Sequence, residues 1–223
     1  MAKEKSILTK HQKAVLDNIS REKYFTSRYY LAGGTALSEF YFKHRLSEDL
    51  DFFSEKEEVN PVSIKRFFND VAFTLKIETI ETKRFLGLYT YFLHFKDKSV
   101  LKVDFNYYPF ERIEKGKKYG NLEIESIYDI GVNKVHTIVL KPRARDYIDI
   151  FFIIKATDYN LQDMLMHAKA KFDWDITFIE LGARLKEASK MADYPRMVKK
   201  IDHNEWKQFF VDEAKKLKKD IFK

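Results

Sequence analysis

Apolar and polar positions along this chain alternate at two spacings, and the switches between them mark out the elements. Leu8, Val15, Leu16 and Ile19 fall at helical spacing and predict an amphipathic helix over 8–20. Tyr29–Ala32 reads as a short strand that Gly33-Gly34 stops. Thr35 is placed to cap a helix running to about Lys43, with Leu37, Phe40 and Tyr41 on its buried side. Leu50–Phe53 is a second short strand, and Asn60 as cap with Pro61 as first helical residue opens a helix to about Phe73. Thr74–Ile80, Lys83–Leu86, Tyr89–Lys96 and Val100–Tyr107 carry β-branched or aromatic residues and mostly alternate, so the middle of the chain is predicted as strands turned at Gly87 and Lys96-Asp97-Lys98. The polar stretch from Pro109 to Asn121 reads as a loop before a short strand at Leu122–Ile124.

After Glu125 the pattern becomes helical throughout. Ser126 is a cap for a helix over 127–140, Pro142 interrupts, and Asp146–Ala156 resumes; helices follow at about 160–171, 175–190 and 204–219. The expected class is α+β: a mixed sheet flanked by helices over residues 1–125, then a helical domain over 126–223 that closes a cleft.

Composition narrows this picture. A chain of 223 residues with 45% hydrophobic positions can bury a substantial core. With no cysteine, disulfides and thiolate metal sites are excluded. The charged start Met1-Ala2-Lys3-Glu4-Lys5 leads into no apolar run of signal length, and no window approaches the ~18 apolar residues of a membrane helix. A cytoplasmic protein with no membrane partner is the expectation. Lys plus Arg number 41 against 34 Asp plus Glu, and that net charge of +7 favours anionic partners such as nucleotides or RNA.

The candidate chemistry lies in three carboxylates and a glycine turn. Asp49 and Asp51 stand at i and i+2, so on a strand they project to one face, about 7 Å apart along the backbone. Parallel carboxylates repel unless a cation lies between them, and oxygen ligands favour Mg²⁺ or Mn²⁺. A bare D-x-D is also how an acidic strand end in solvent looks. Gly33-Gly34 ahead of a helix lets backbone N–H groups approach an anion, with Thr35 or Ser47 adding a hydroxyl. Asp104 shares a strand face with Lys102 and Asn106; a strand beside Leu50–Phe53 would bring it to the same cluster, where a third acid can take a proton from an attacking hydroxyl. His44, beside Arg45, can touch phosphate, though a surface position is the plainer reading. In the helical half, Lys134 has Ile130 and Ile138 as helical neighbours: it either snorkels to water or reaches a nucleotide phosphate. Asp146 and Asp149 share a helix face just after Arg143 and Arg145, which also suits acids at a helix start. Lys207, Lys215, Lys216, Lys218 and Lys219 on the last helix could follow an RNA backbone, or form a solvated face with Trp206, Phe209 and Phe210 packed inward.

Together these residues resemble a known family. Gly33-Gly34-Thr35-Ala36-Leu37, followed by His44-Arg45-Leu46-Ser47-Glu48-Asp49-Leu50-Asp51-Phe52-Phe53, is similar to the first motif of the AbiEii/AbiGii toxin family, nucleotidyltransferases of the DNA polymerase β-like superfamily. Val103-Asp104-Phe105 resembles its second acidic motif, and Lys134 with Arg145-Asp146-Tyr147-Ile148-Asp149 its later Lys…Arg-Asp-x-x-Asp motif. The resemblance implies transfer of a nucleoside monophosphate from an NTP to an acceptor, such as the 3′ end of tRNA, by a toxin that a cognate antitoxin protein restrains. It further implies that Asp49, Asp51 and Asp104 hold Mg²⁺ or Mn²⁺, that Gly33, Gly34, Thr35 and Ser47 cradle phosphate, and that Lys134, Arg145 and Asp149 serve the nucleotide from the helical side. Ser47 matches a position that is phosphorylated in some members. The competing expectations are a non-catalytic nucleotide- or RNA-binding module on the same fold and a kinase-like transferase of the γ-phosphate.

Overall fold

The computed structural model describes residues 5–221, of which 218–221 are described by backbone alone. The N-terminal charged start up to Glu4 and the side chains of Lys218 and Lys219 therefore lie outside the described residues. The chain divides into two compact units, Met1–Ser126 and Ile127–Lys223.

The first unit is built on a seven-stranded mixed sheet. Its strands are β1 (Tyr30–Ala32), β2 (Leu50–Ser54), β3 (Ile77–Phe85), β4 (Leu88–Phe95), β5 (Val100–Tyr107), β6 (Lys118–Tyr119) and β7 (Leu122–Ile124), in the order β3-β4-β5-β2-β1-β7-β6. The pairs β2–β5 and β1–β7 are parallel and the remaining neighbours antiparallel. Helices α1 (Lys10–Ile19), α2 (Lys23–Thr26) and α4 (Pro61–Leu75) flank it, and the short α3 (Gly33–Leu37) follows β1.

One face of this sheet is the core. Leu50, Phe52, Tyr91, Leu93, Val103 and Phe105 are buried there. Phe25 of α2 and Phe67 and Phe68 of α4 meet them: Phe25 lies 5.7 Å from Phe105, Phe68 lies 5.4 Å from Tyr91, and Phe25 meets Phe67 edge-on at 4.6 Å. Burying aromatic side chains of this size removes 150–250 Å² each from water, at about 25 cal/mol per Å², and is the main force holding helices to sheet. Because side chains alternate along a strand, the same register sends Asp51 and Phe53 of β2, and Lys102, Asp104 and Asn106 of β5, to the opposite face.

Local chemistry explains most boundaries. Thr9 and Gln12 form a reciprocal capping box on α1, and the Asn60 side chain accepts from the Val62 and Ser63 N–H groups ahead of Pro61. The structure departs from expectation in α2 and in β6, which lies in the stretch read as a loop, and at three further places in this half of the chain. The helix predicted to stop near Phe73 continues to Leu75 and ends at Lys76, which takes a left-handed φ of 61°. The segment predicted as two strands is then one continuous β3, an edge strand whose exposed Glu78, Glu81, Lys83 and Arg84 discourage pairing with another chain. Thr35 does not cap: Ala32 holds that position, and the expected helix is α3 followed by a wider π-turn, Ser38–Phe42, closed by left-handed Lys43.

The second unit comprises α5 (Ile127–Leu140), α6 (Ala144–Ala156), α7 (Leu161–Lys171), α8 (Phe178–Glu187) and α9 (His203–Ile221). α5 packs on α6 and α7, and α9 on α8 and α6. Its core includes Val135, Ile138, Tyr147, Ile150, Met164, Leu185, Trp206 and Phe210. Trp206 and Phe210 point α9 inward, while the exposed Lys215 and Lys216 pair with Asp212 and Glu213 on the helix itself. No helix among the described residues is long and apolar enough to cross a membrane.

Candidate active site

Parallel pairing of β2 with β5 sets Asp51 directly opposite Asp104. Asp49 stands two residues before Asp51, just ahead of β2. The Lys102 ammonium lies 2.5 Å from Asp104 Oδ2 and 3.4 Å from Asp49 Oδ2. Asp104 Oδ1 accepts from the Thr90 hydroxyl on β4 at 2.6 Å. Burial would lower the Lys102 pKa, but the hydrogen bond and charge of Asp104, with Asp49 and Asp51 behind it, hold it above the ordinary ammonium value. Neither Lys102 nor Thr90 is singled out by the sequence pattern, although Lys102 shares the face of Asp104 at i−2.

The chain leading into β2 is fixed from two sides. The buried Gln12 side chain donates to the Ser47 carbonyl at 2.8 Å, and the Thr35 hydroxyl, also buried, donates to the Asp49 carbonyl. Thr35 therefore acts on the backbone that carries Asp49, a different use of its hydroxyl from the phosphate contact expected of it.

The glycine turn packs against the same carboxylates. Gly33 has φ 71°, and a Cβ there would stand 2.6 Å from Asp51 Oδ2, so only glycine admits the carboxylate this close. Its N–H donates to the buried Glu125 side chain at 3.3 Å, an internal carboxylate that the sequence pattern does not announce. A Cβ on Gly34 would meet Arg45 Nη2 at 2.5 Å and Ser47 Oγ at 3.0 Å. Arg45 is only 3% exposed and His44 is fully buried, so the surface position read for His44 is corrected: the π-turn and left-handed Lys43 fold this stretch inward. A guanidinium and a hydroxyl thus converge on Gly34, next to the glycine that packs against Asp51.

The donor chemistry suits a divalent ion, since carboxylate oxygens are the preferred ligands of Mg²⁺ and Mn²⁺. Among the described residues, no three His, Cys, Asp or Glu side chains stand together closely enough to hold one as a group. The cation between Asp49 and Asp104 is the Lys102 ammonium.

The comparisons with known proteins now decide the family. The family described as Nucleotidyl transferase AbiEii toxin, Type IV TA system, matches residues 15–216, nearly the whole chain. This chain belongs to the AbiEii nucleotidyltransferases. An uncharacterized protein of Aquifex aeolicus is 26% identical over 151 residues, which span 65% of this chain and 66% of that protein. Two Helicobacter pylori structures share the fold. One, described as a nucleotidyltransferase, aligns with a TM-score of 0.58 at 20% identity over 95% of this chain and 93% of its own; JHP933 aligns at 0.56 and 21% over 95% and 90%.

The residues resembling the later AbiEii motif sit inside the helical unit. Lys134 neither snorkels nor stands alone: its ammonium lies 2.8 Å from Asp146 Oδ1 and 2.7 Å from Asp149 Oδ2. Arg143 Nε adds a contact of 2.9 Å to Asp146 Oδ2, whereas Arg145, the arginine expected to act, is exposed. Burial pushes the Asp146 pKa up, but Lys134 and Arg143 outweigh it and hold the carboxyl below its ordinary value.

Proposed function

We propose that this AbiEii nucleotidyltransferase moves a nucleoside monophosphate from an NTP to an RNA hydroxyl, as a toxin restrained by a cognate antitoxin protein. The observation that carries the reading is Asp51 of β2 set opposite Asp104 of β5 and against the Gly33 turn, with Asp49 just ahead of β2 joined to Asp104 through Lys102, in a chain of this family. In the reaction, the acceptor oxygen forms a bond to the α-phosphorus. The bond from that phosphorus to the bridging oxygen breaks, and pyrophosphate leaves.

The residues divide this work by position. Gly34, Ser47 and Arg45 form the phosphate cradle, the guanidinium supplying fixed positive charge where the β- and γ-phosphates lie. Gly33 sets the turn and keeps its N–H on Glu125. Asp104 takes the proton of the attacking hydroxyl, its carboxylate aimed by Thr90. Asp49, Asp51 and Asp104 do not stand as one group without metal and would have to draw together to hold Mg²⁺ or Mn²⁺, which supplies charge stabilisation at the reacting phosphate when bound. Thr35 and Gln12 keep Asp49 in register. Catalysis of this kind rests on positioning and electrostatics more than on covalent chemistry.

The test is incubation of the protein with total RNA and each NTP, labelled in turn on the α- and the γ-phosphate. Label from the α-phosphate entering RNA supports the proposal. Transfer of γ-label would make the chain a kinase-like enzyme, and no transfer of either would leave a binding module.

A further inference from the structure

Lys102 enters the carboxylate site from the same strand as Asp104, two residues away on the same face. Its cross-strand neighbour on β4 is Phe92, an apolar ring that already carries the Lys83 ammonium at 5.0 Å. The Lys102 charge therefore finds its partners on the β2 side, at Asp104 and Asp49. Asp104 is buried, with the Thr90 hydroxyl on one oxygen and the ammonium on the other. Lys102 is 34% exposed, enough for its side chain to swing out without disturbing the core.

We infer that Lys102 is a resident counter-ion that competes with the divalent metal for Asp104 and Asp49, and so sets how tightly the site takes that metal. The inference rests on the reading of these carboxylates as a metal site. In the metal-free protein the ammonium neutralises the clustered acids. A divalent ion enters only as the ammonium leaves Asp104, so part of its binding energy goes into that displacement. Half-occupancy of the site then needs a higher free metal concentration than bare carboxylates would require.

The experiment is Mn²⁺ binding, followed by electron paramagnetic resonance of the free ion, on the wild-type chain and on Lys102→Met and Lys102→Gln, with circular dichroism of each. The variants are expected to bind Mn²⁺ about 10- to 100-fold more tightly than wild type, the range by which groups around metal ligands change affinity. They are also expected to gain more in melting temperature from added Mn²⁺. A variant that is unfolded without metal and folds on adding Mn²⁺ supports the inference in the same way. Equal affinity in all three proteins overturns the role of Lys102 and leaves the metal reading standing. No binding by any of them overturns both. A variant that stays unfolded with Mn²⁺ present shows the lysine to be structural and overturns the inference alone.

Discussion

Replacing Lys134 by Met gives the sharpest test of what the later family motif does within the helical unit. The ammonium touches two carboxylates with almost no solvent access: the Asp146 side chain is 3% exposed and that of Asp149 0%. Arg143 still reaches Asp146, so that carboxylate keeps one cation when the lysine is gone. Breaking a buried ion pair from one side costs about 3–5 kcal/mol. In a unit of this size each kcal/mol moves the melting temperature by about 4–8 °C, so a fall of about 12 °C or more is expected. Both tryptophans of the chain, Trp174 and Trp206, lie in this unit, and Trp206 is buried near Tyr147. Tryptophan fluorescence in a urea titration therefore reports its unfolding selectively. The triple variant Lys134→Met, Asp146→Asn, Asp149→Asn removes the cation and both negative charges together and is expected to recover much of the loss. A single variant within about 1 kcal/mol of wild type, below the range for buried pairs, would refute the reasoning. Any loss of nucleotide use in Lys134 variants needs to be read at a temperature where this unit is still folded.

Two further outcomes follow from the geometry. Gly33→Ala forces a Cβ into left-handed backbone and against Asp51 Oδ2; it is expected to cost about 1–3 kcal/mol and to lower transfer by displacing that carboxylate, and a thermal melt and transfer rate both equal to wild type would contradict this. Asp146, whose native pKa is lowered, contributes stability that is full above its unfolded value near 3.8 and is lost as pH falls through the native pKa. Urea titrations between neutral pH and pH 2 should accordingly show a flatter acid limb in Asp146→Asn than in wild type, and parallel limbs would count against the pairing.

The placement of residues was legible wherever it depended on strand alternation and local caps. Asp51 and Asp104 share a face because side chains alternate with period two, and Asn60-Pro61 starts α4 through local hydrogen bonding. What escaped depends on contacts between distant parts of the chain. Lys102 meets Asp49 only through the β2–β5 register, and Gln12 reaches Ser47 from a different element. Periodicity predicted an ordinary helix after Gly33-Gly34, yet the chain widens into a π-turn that buries His44 and Arg45. Thr74 favoured a strand by propensity, but α4 keeps its hydrogen bonding to Leu75 and tertiary context overrides the weak preference. In the helical unit, Arg143 just before α6 reaches Asp146, while Arg145 on the helix stays exposed.

The central claim is that the aspartate row on β2 and β5 carries nucleotidyl transfer. Its most direct test is α-labelled NTP incorporation into RNA by Asp51→Asn, an isosteric change, beside wild type with matched unfolding curves. Incorporation should fall by about a hundredfold or more, as when preorganised electrostatic groups are removed from other active sites. An undiminished rate in that variant would contradict the account.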